Sequence, residues 1–470
     1  MSWDKQRSAN RIRQHLRGMQ PVNVSNLTKE MDLEQVVSEN QCKRIFGVHV
    51  YATLTNFAQI ASSPPDGDGY KEWVIALHLY QQEVFRIVEQ VFGGYFVHFQ
   101  SAKLHALLYQ PFRDPSALTA RAVLLQCVLG DFVRAVFHPV FSHYGKTMLA
   151  SGADLGTTIA TSNGLSNDRE LLFIGSAANY AAKIIDPCDE YPRMTQDLYQ
   201  TLPKELQNLC HPASILLDTP LYVLRLSEPG LLAKLLHIYG IKWRPGDRMQ
   251  HLLKEKRRLS LASITTHAEA PLTNLKDLSI LNNRRMFAAS LFADISGFTR
   301  YIAKAEKNGT QAQALRVLHA IREEMACIVR QDFSGFRVQF QGDRVQALFL
   351  GKEQKVAQRA VQAALGLQSS IEGPIKECIP QAHPLHVAIG IDLGWTLVSR
   401  LGVRKYRDPI CIGASVERAA AFEEASDGGQ IAISRRLYQA LSADLRCHFK
   451  HNKEAHCYIA SNFGNCGKKT

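Results

Sequence analysis

FADISGFTRYI (Phe292–Ile302) opens a series of strings that continues with FRVQFQGDRVQALF (Phe336–Phe349), IGIDLGWT (Ile389–Thr396) and ICIGASVERAAAF (Ile410–Phe422). The N-terminal half answers each in turn: YATLTNFAQI (Tyr51–Ile60), YFVHFQSAKLHALLY (Tyr95–Tyr109), SGADLGTT (Ser151–Thr158) and LFIGSAANYAAKI (Leu172–Ile184). The offset hardly drifts, since Phe298 minus Phe57 and Gln341 minus Gln100 are both 241, Asp392 minus Asp154 and Gly413 minus Gly175 are both 238, and Leu437 minus Leu198 is 239. Chance similarity does not hold register over such a span, so the chain is a duplicated domain. Each copy keeps polar residues that the other has lost.

Within each copy an apolar run of strand character (Ile45–Tyr51; Met286–Ala293) leads through a polar turn into a helical stretch. The helix reads best in TQAQALRVLHAIREEMACIVRQ, where Leu315, Leu318, Ile321, Met325 and Ile328 recur at intervals of three or four. Two short alternating strands, a second amphipathic helix (KVAQRAVQAALGLQSSI) and a further strand (HVAIGIDLG) follow. Strand, helix, paired strands, helix, strand is the ferredoxin-like order, and both halves spell it. The expected architecture is α+β: a polar segment over 1–42, a first domain over 43–226, a basic linker over 227–283, a second domain over 284–460 and a tail over 461–470.

The 470 residues and 46% hydrophobic content suit two ordinary globular domains. No run of 18 apolar residues exists and the first residues lack an apolar core, so neither a membrane span nor a secretory leader is expected, and the reading is cytoplasmic. The ten cysteines are scattered without a CxxC pair, which suits reduced core thiols. Cys447, His448, His451, His456 and Cys457 could form a zinc site, but a polar hairpin between closing strands is the better reading. The net charge of +12 suits an anionic partner. Lys234–Ser260 alone holds eight Lys or Arg against two acids, and without a recognition motif or interleaved aromatics it reads as a solvated linker helix, so nucleic acid is not expected as a partner.

Asp294 ends the first strand of the second copy and Asp343 stands in the turn Gln341-Gly342-Asp343. In a ferredoxin-like sheet these positions adjoin, and two carboxylates in one small space repel unless a divalent cation lies with them. Ile295-Ser296-Gly297-Phe298-Thr299 presents backbone N–H groups at a helix start, where phosphates bind.

These residues together resemble the catalytic domain of class III nucleotidyl cyclases, most specifically through FADISGFT, FQGDRVQALF and the IG-x-x-x-N/E-x-A-A stretch. The resemblance implies a site between two domains and two Mg²⁺ or Mn²⁺ ions. The metal positions are Asp294, Ile295 and Asp343; the first copy has Thr53 and Ala102 where the two Asp stand. The family's ribose-binding Asn falls on Asn179 and its transition-state Arg on Lys183, whereas the second copy has Glu417 and Ala421 there. One composite site is complete and the other stripped, as in an intramolecular pseudo-heterodimer of two ferredoxin-like cyclase domains. Ser296, Gly297, Phe298, Thr299 and Arg344 are the implied triphosphate contacts, with Lys405 a further cation within reach.

The base-reading positions depart from the family. His98 and Leu172 occupy them in the complete site, Gln339 and Ile410 in the stripped one. His gives or takes one hydrogen bond and Leu none, so the usual purine contacts are missing. Soluble bacterial cyclases with altered base pockets are similar in this to the Pycsar antiphage pyrimidine cyclases. That resemblance implies CTP, converted to cyclic CMP, or else UTP, converted to cyclic UMP, with adenylate cyclase and a non-catalytic nucleotide-binding regulator as further alternatives. It also implies an active site made within one chain and a product read by a separate effector.

Overall fold

The computed structural model describes residues 2–57, 60, 69–163, 170–216, 219–268, 272–403 and 409–461. Lys405 and the tail beyond Ser461 lie outside the described residues. The first half contributes β1 (Asn23–Asn26), β2 (Gln41–Leu54), β3 (Tyr95–Gln100), β4 (Lys103–Leu108), β5 (Leu149–Asn163), β6 (Glu170–Ile174), β7 (Arg193–Thr195), β8 (Cys210–Leu216) and β9 (Thr219–Leu224). The second contributes β10 (Thr265–Ala268), β11 (Asn282–Ser296), β12 (Phe336–Gln341), β13 (Arg344–Leu350), β14 (His386–Arg400), β15 (Pro409–Ile412), β16 (Gln430–Ile433), β17 (Lys450–Asn452) and β18 (Cys457–Ser461). The two sheets have the same order, β3-β4-β2-β5-β7-β9-β8 and β12-β13-β11-β14-β16-β18-β17, with β1 and β10 parallel to β2 and β11 and with β6 and β15 antiparallel to β5 and β14. The first four strands of each path are the ferredoxin-like unit read from the sequence. β17 and β18 form a polar hairpin, and among the described residues no group of His, Cys, Asp or Glu is placed to hold zinc.

The halves exchange matching residues. Ile159, Leu172 and Ile174 are buried in the core of the second half, and their counterparts 238 residues on, Leu397, Ile410 and Ile412, are buried in the core of the first. His78 and His319 are paired by the offset of 241, and each reaches across: Gly402 N–H donates to His78 Nδ1 at 3.1 Å, and His319 Nε2 meets Thr161 Oγ1 at 3.1 Å. An exchange of matching residues in both directions defines a pseudo-two-fold axis.

The lead-in and the linker differ from the expected connectors. Lys5–Gly18 is a helix capped by the Asp4 carboxylate, which accepts from Arg7 N–H at 2.7 Å. It crosses to the second half, where Ile12 is buried, Ser8 Oγ donates to Glu324 at 2.7 Å and Arg11 spans Glu324 and Asp332 at 2.6 and 2.9 Å. The basic stretch holds helices Leu231–Ile238 and Pro245–Ser260. The latter buries Leu252 and Leu259 against the first half and brings Arg248 and His251 to Glu83, the counterpart of Glu324 at the same 241 offset. Each half is therefore preceded by a helix that packs on the first long helix of the other half.

One described helical run, Pro115–Val140, is long and apolar enough to cross a membrane; just over half of its apolar window is buried inside the protein.

Candidate active site

β11 pairs with β13 from Ala288 to Ala293, so Asp294, the next residue, projects beside the start of β13. Gln341 pairs with Arg344, leaving Gly342-Asp343 as a two-residue hairpin turn with Gly342 at φ +64°, the first central position where a II′ turn asks for glycine. The sequence thus places both carboxylates at one end of two neighbouring strands. Burial pushes both acids above the usual carboxylate range, and for Asp343 the next cause is the charge of Asp294. Arg344, Lys183 and the Ile295 N–H oppose the rise at Asp294.

The opposite wall comes from the first half. Gly175, between β6 and helix Ser176–Lys183, has no room for a side chain, since a Cβ would stand 2.9 Å from Thr157 O; at Gly413 in the second copy the distance is 2.5 Å. This tight entry aims the helix at the crevice. Asn179 Nδ2 donates to Thr299 Oγ1 across the halves at 2.7 Å. A narrow cleft runs between Phe173, Gly175 and Asn179 on one side and Phe298, Thr299 and Asp343 on the other. Lys183, exposed at the end of its helix, is close enough for its charge to act on Asp294.

The remaining positions are less uniform. Phe298 and Thr299 line the cleft, and Gly297, at φ +87°, turns the end of β11 into helix Phe298–Lys307. Ser296 packs against Gly428. Arg344 is held within its own half by Glu423 at 2.7 Å and lies over the Phe292 ring at 4.5 Å. Leu172 is 2% exposed inside the shared core.

His98 stands edge-on to His105, with ring centroids 5.2 Å apart, and its basicity is lowered to about 4, first by burial and then by Lys103, so the imidazole is neutral. His105 in turn stacks on Tyr51 at 4.2 Å. Tyr51 and Lys103 were not singled out by the sequence reading. The Tyr51 phenol is pushed up by burial and then by the charge of Asp343, which connects the His98 group to the metal end of the cleft. Burial lowers Lys103, whose ammonium lies 5.7 Å from the Tyr51 ring centroid. The signal for Tyr51 was present: it stands two residues before Thr53, as Phe292 stands two before Asp294.

The residues at the metal positions fit a divalent cation. Two carboxylates and the Ile295 carbonyl are hard oxygen donors, and a bound cation would offset the burial that raises both acids and the charge of Asp294 that raises Asp343 further.

Residues 284–468 match the adenylate and guanylate cyclase catalytic domain. The chain is 27% identical to a protein named uridylate cyclase from Pseudomonas aeruginosa, over 97% of this chain and 89% of that one. It is also 27% identical to a protein of the same name from a Rhizobium species, over 91% and 88%. Among solved structures, a class III adenylyl cyclase-like ATP-binding protein from Pseudomonas aeruginosa superposes with a TM-score of 0.80 at 25% identity, covering 98% of this chain and 97% of that one.

Proposed function

We propose, from the premise that this chain is a nucleotide cyclase with two class III cyclase domains in tandem, that it converts UTP to 3′,5′-cyclic UMP and pyrophosphate. The observation that carries this reading is the likeness, over nearly the whole chain, to two proteins named uridylate cyclase. It displaces cytidylate cyclase, which the sequence reading put first. The pocket is compatible with the change. Neutral His98 and the protonated Tyr51 phenol each give or take one hydrogen bond, which suits a pyrimidine edge, and Leu172 offers a purine nothing.

In this mechanism Asp294, Asp343 and the Ile295 carbonyl would hold Mg²⁺ or Mn²⁺. The bound metal supplies charge to acidify the ribose 3′-hydroxyl and to neutralise the triphosphate. Asn179, already bonded to Thr299 at 2.7 Å, orients the ribose. Lys183 brings a positive charge to the phosphorus centre as the 3′ oxygen attacks and pyrophosphate leaves. The N–H groups from Gly297 to Thr299 receive phosphate oxygens. The resemblance to the Pycsar cyclases supports a product that acts as a signal in antiphage defence, read by a separate effector.

The test is to incubate the full chain with ATP, GTP, CTP or UTP and Mn²⁺ and to identify products by mass. Cyclic UMP from UTP is the expected result. Cyclic CMP as the main product restores the cytidylate reading; no product from any of the four overturns the assignment of activity.

A further inference from the structure

A second cavity, of about 720 Å³, lies apart from the crevice, between helix Pro115–Phe132 of the first half and helix Leu231–Ile238. Its size is that of a small-molecule site. Cys127, Leu149, Leu224, Leu236 and Ile241 give it a buried apolar floor, and Trp243 stands in its wall, its indole N–H fixed on Asp131 at 2.8 Å.

Gln126 lines the same cavity. It is 1% exposed, and neither its amide nitrogen nor its amide oxygen has a hydrogen-bond partner among the described residues. A buried amide left unpaired in both its donor and its acceptor costs free energy until something pairs with it. The duplication supplies a control. Arg121-Ala122-Val123 corresponds to Arg359-Ala360-Val361 at the offset of 238, which puts Ala364, fully buried, at the place of Gln126. The fold therefore accepts a small apolar residue at this point of the helix and does not require the amide.

We propose that this cavity binds a flat heterocycle with a lactam edge, a ring N–H beside a C=O, which pairs with the carboxamide of Gln126 while the ring stacks on Trp243. A carboxamide presents one acceptor beside one donor, and a lactam is its complement. The rim carries both signs, Arg134, Lys242 and Arg244 against Glu190 and Glu228, so no net charge is demanded of the ligand. The site is linked to the crevice. Its wall from Glu190 to Pro192 lies a few residues beyond the helix of Asn179 and Lys183, and the intervening turn is pinned by Arg193 to Asp186 and Asp189 at 2.6 and 3.2 Å. Occupancy thus bears on the segment that sets Lys183.

The experiment is calorimetric titration of the full chain, without triphosphate, with uracil, hypoxanthine and 1,3-dimethyluracil, the last having the flat shape but no ring N–H. At least one of the two lactams is expected to bind at one site per chain and the dimethyl compound not to bind. Gln126→Leu should weaken binding by about tenfold or more, the loss of one well-made hydrogen-bonded pair. Ala233→Trp, at an exposed position that lines the cavity, should abolish it, and Asp294→Ala should leave it unchanged. No binding of either lactam, or binding that both cavity variants leave intact, overturns the site. Because no turnover is involved, that outcome is separate from any failure of the UTP assignment. The same lactam should change the rate of cyclisation in the parent chain but not in Ala233→Trp; full binding with an unaltered rate overturns the link to the crevice.

Discussion

The two composite crevices are built from the same strands, turns and helices, yet they differ in what they present. In one, Asp294 and Asp343 face Asn179 and Lys183; in the other, Thr53 and Ala102 correspond to the acids, and Glu417 and Ala421 to the amide and the ammonium. The stripped crevice is not idle. Gln339, at the place of His98, donates to Phe99 O across the halves at 3.2 Å, whereas Leu172 and Ile410 are buried alike, each in the core of the other half. At the place where the complete crevice keeps the neutral imidazole of His98, the stripped one thus makes a hydrogen bond that fastens the halves.

The strongest way to break this comparison is to remove one acid. Asp294→Ala or Asp343→Ala should lower turnover by about 10³-fold or more, with the fold unchanged by circular dichroism, because the cation loses half of its carboxylate support. The mirror change, Thr53→Asp with Ala102→Asp, should add no activity, since Glu417 and Ala421 still fail to offer an amide and a cation. Activity gained by that double variant would mean that the halves are interchangeable.

The opposite wall gives the next effect. Asn179→Ala should cost about 10² to 10³ in kcat, the usual loss of one well-placed donor, with a smaller change in KM. Lys183→Arg should raise kcat, because a planar fork replaces a point charge at the phosphorus centre. A Lys183→Arg variant slower than the parent would show that the crevice has adapted to the ammonium.

The sequence already exposed the duplication, the ferredoxin-like order and both carboxylates, because those rest on strings held in register by core packing and by a turn that demands glycine. It did not expose the paired lead-in helices. Arg11 with Glu324 and Arg248 with Glu83 are equivalent contacts, but the helices that carry Arg11 and Arg248 are amphipathic surface elements whose outer residues drift freely, so Lys5–Gly18 and Pro245–Ser260 read as unrelated polar stretches. Nor did it expose Tyr51 and Lys103. The offset of 241 matches Tyr51 to Phe292 and Lys103 to Arg344, but the charge of Asp343 acting on Tyr51 and that of Arg344 acting on Lys103 appear only when the halves close.

That closure also rests on Glu170 of the first half, whose counterpart at the offset of 238, Asp408, lies outside the described residues. It pairs with Arg337 at 2.6 Å and Arg322 at 3.4 Å and accepts from Phe340 N–H at 3.1 Å. Arg322 is fully buried and its pKa is lowered to about 9, with burial the main cause and Glu170 opposing it. Glu170→Gln keeps the acceptor and removes the charge, leaving a buried guanidinium short of its partner. The expected loss of stability is about 3 kcal/mol, read from denaturant unfolding. An unchanged midpoint would place the hold between the halves in the apolar exchange alone.

The smallest effect separates Glu417 from Asn179, the two residues at equivalent places. Burial, with a contribution from Glu424, raises Glu417 to about 7, while Arg344 opposes the rise. A carboxyl whose pKa is higher in the folded state than in the unfolded one binds its proton more tightly when folded. Its contribution to stability is therefore full below its ordinary pKa of 4.5 and is lost as pH rises through about 7. Glu417→Gln removes the titration. The variant should be more stable than the parent by about 1 kcal/mol at pH 8, after allowance for the part of the side chain that meets solvent, and no more stable at pH 4.5. Asn179, neutral at every pH, gives no such difference when replaced by Ala. Parallel stability curves for Glu417→Gln and the parent across this range would mean that solvent reaches the stripped crevice freely enough to cancel its burial.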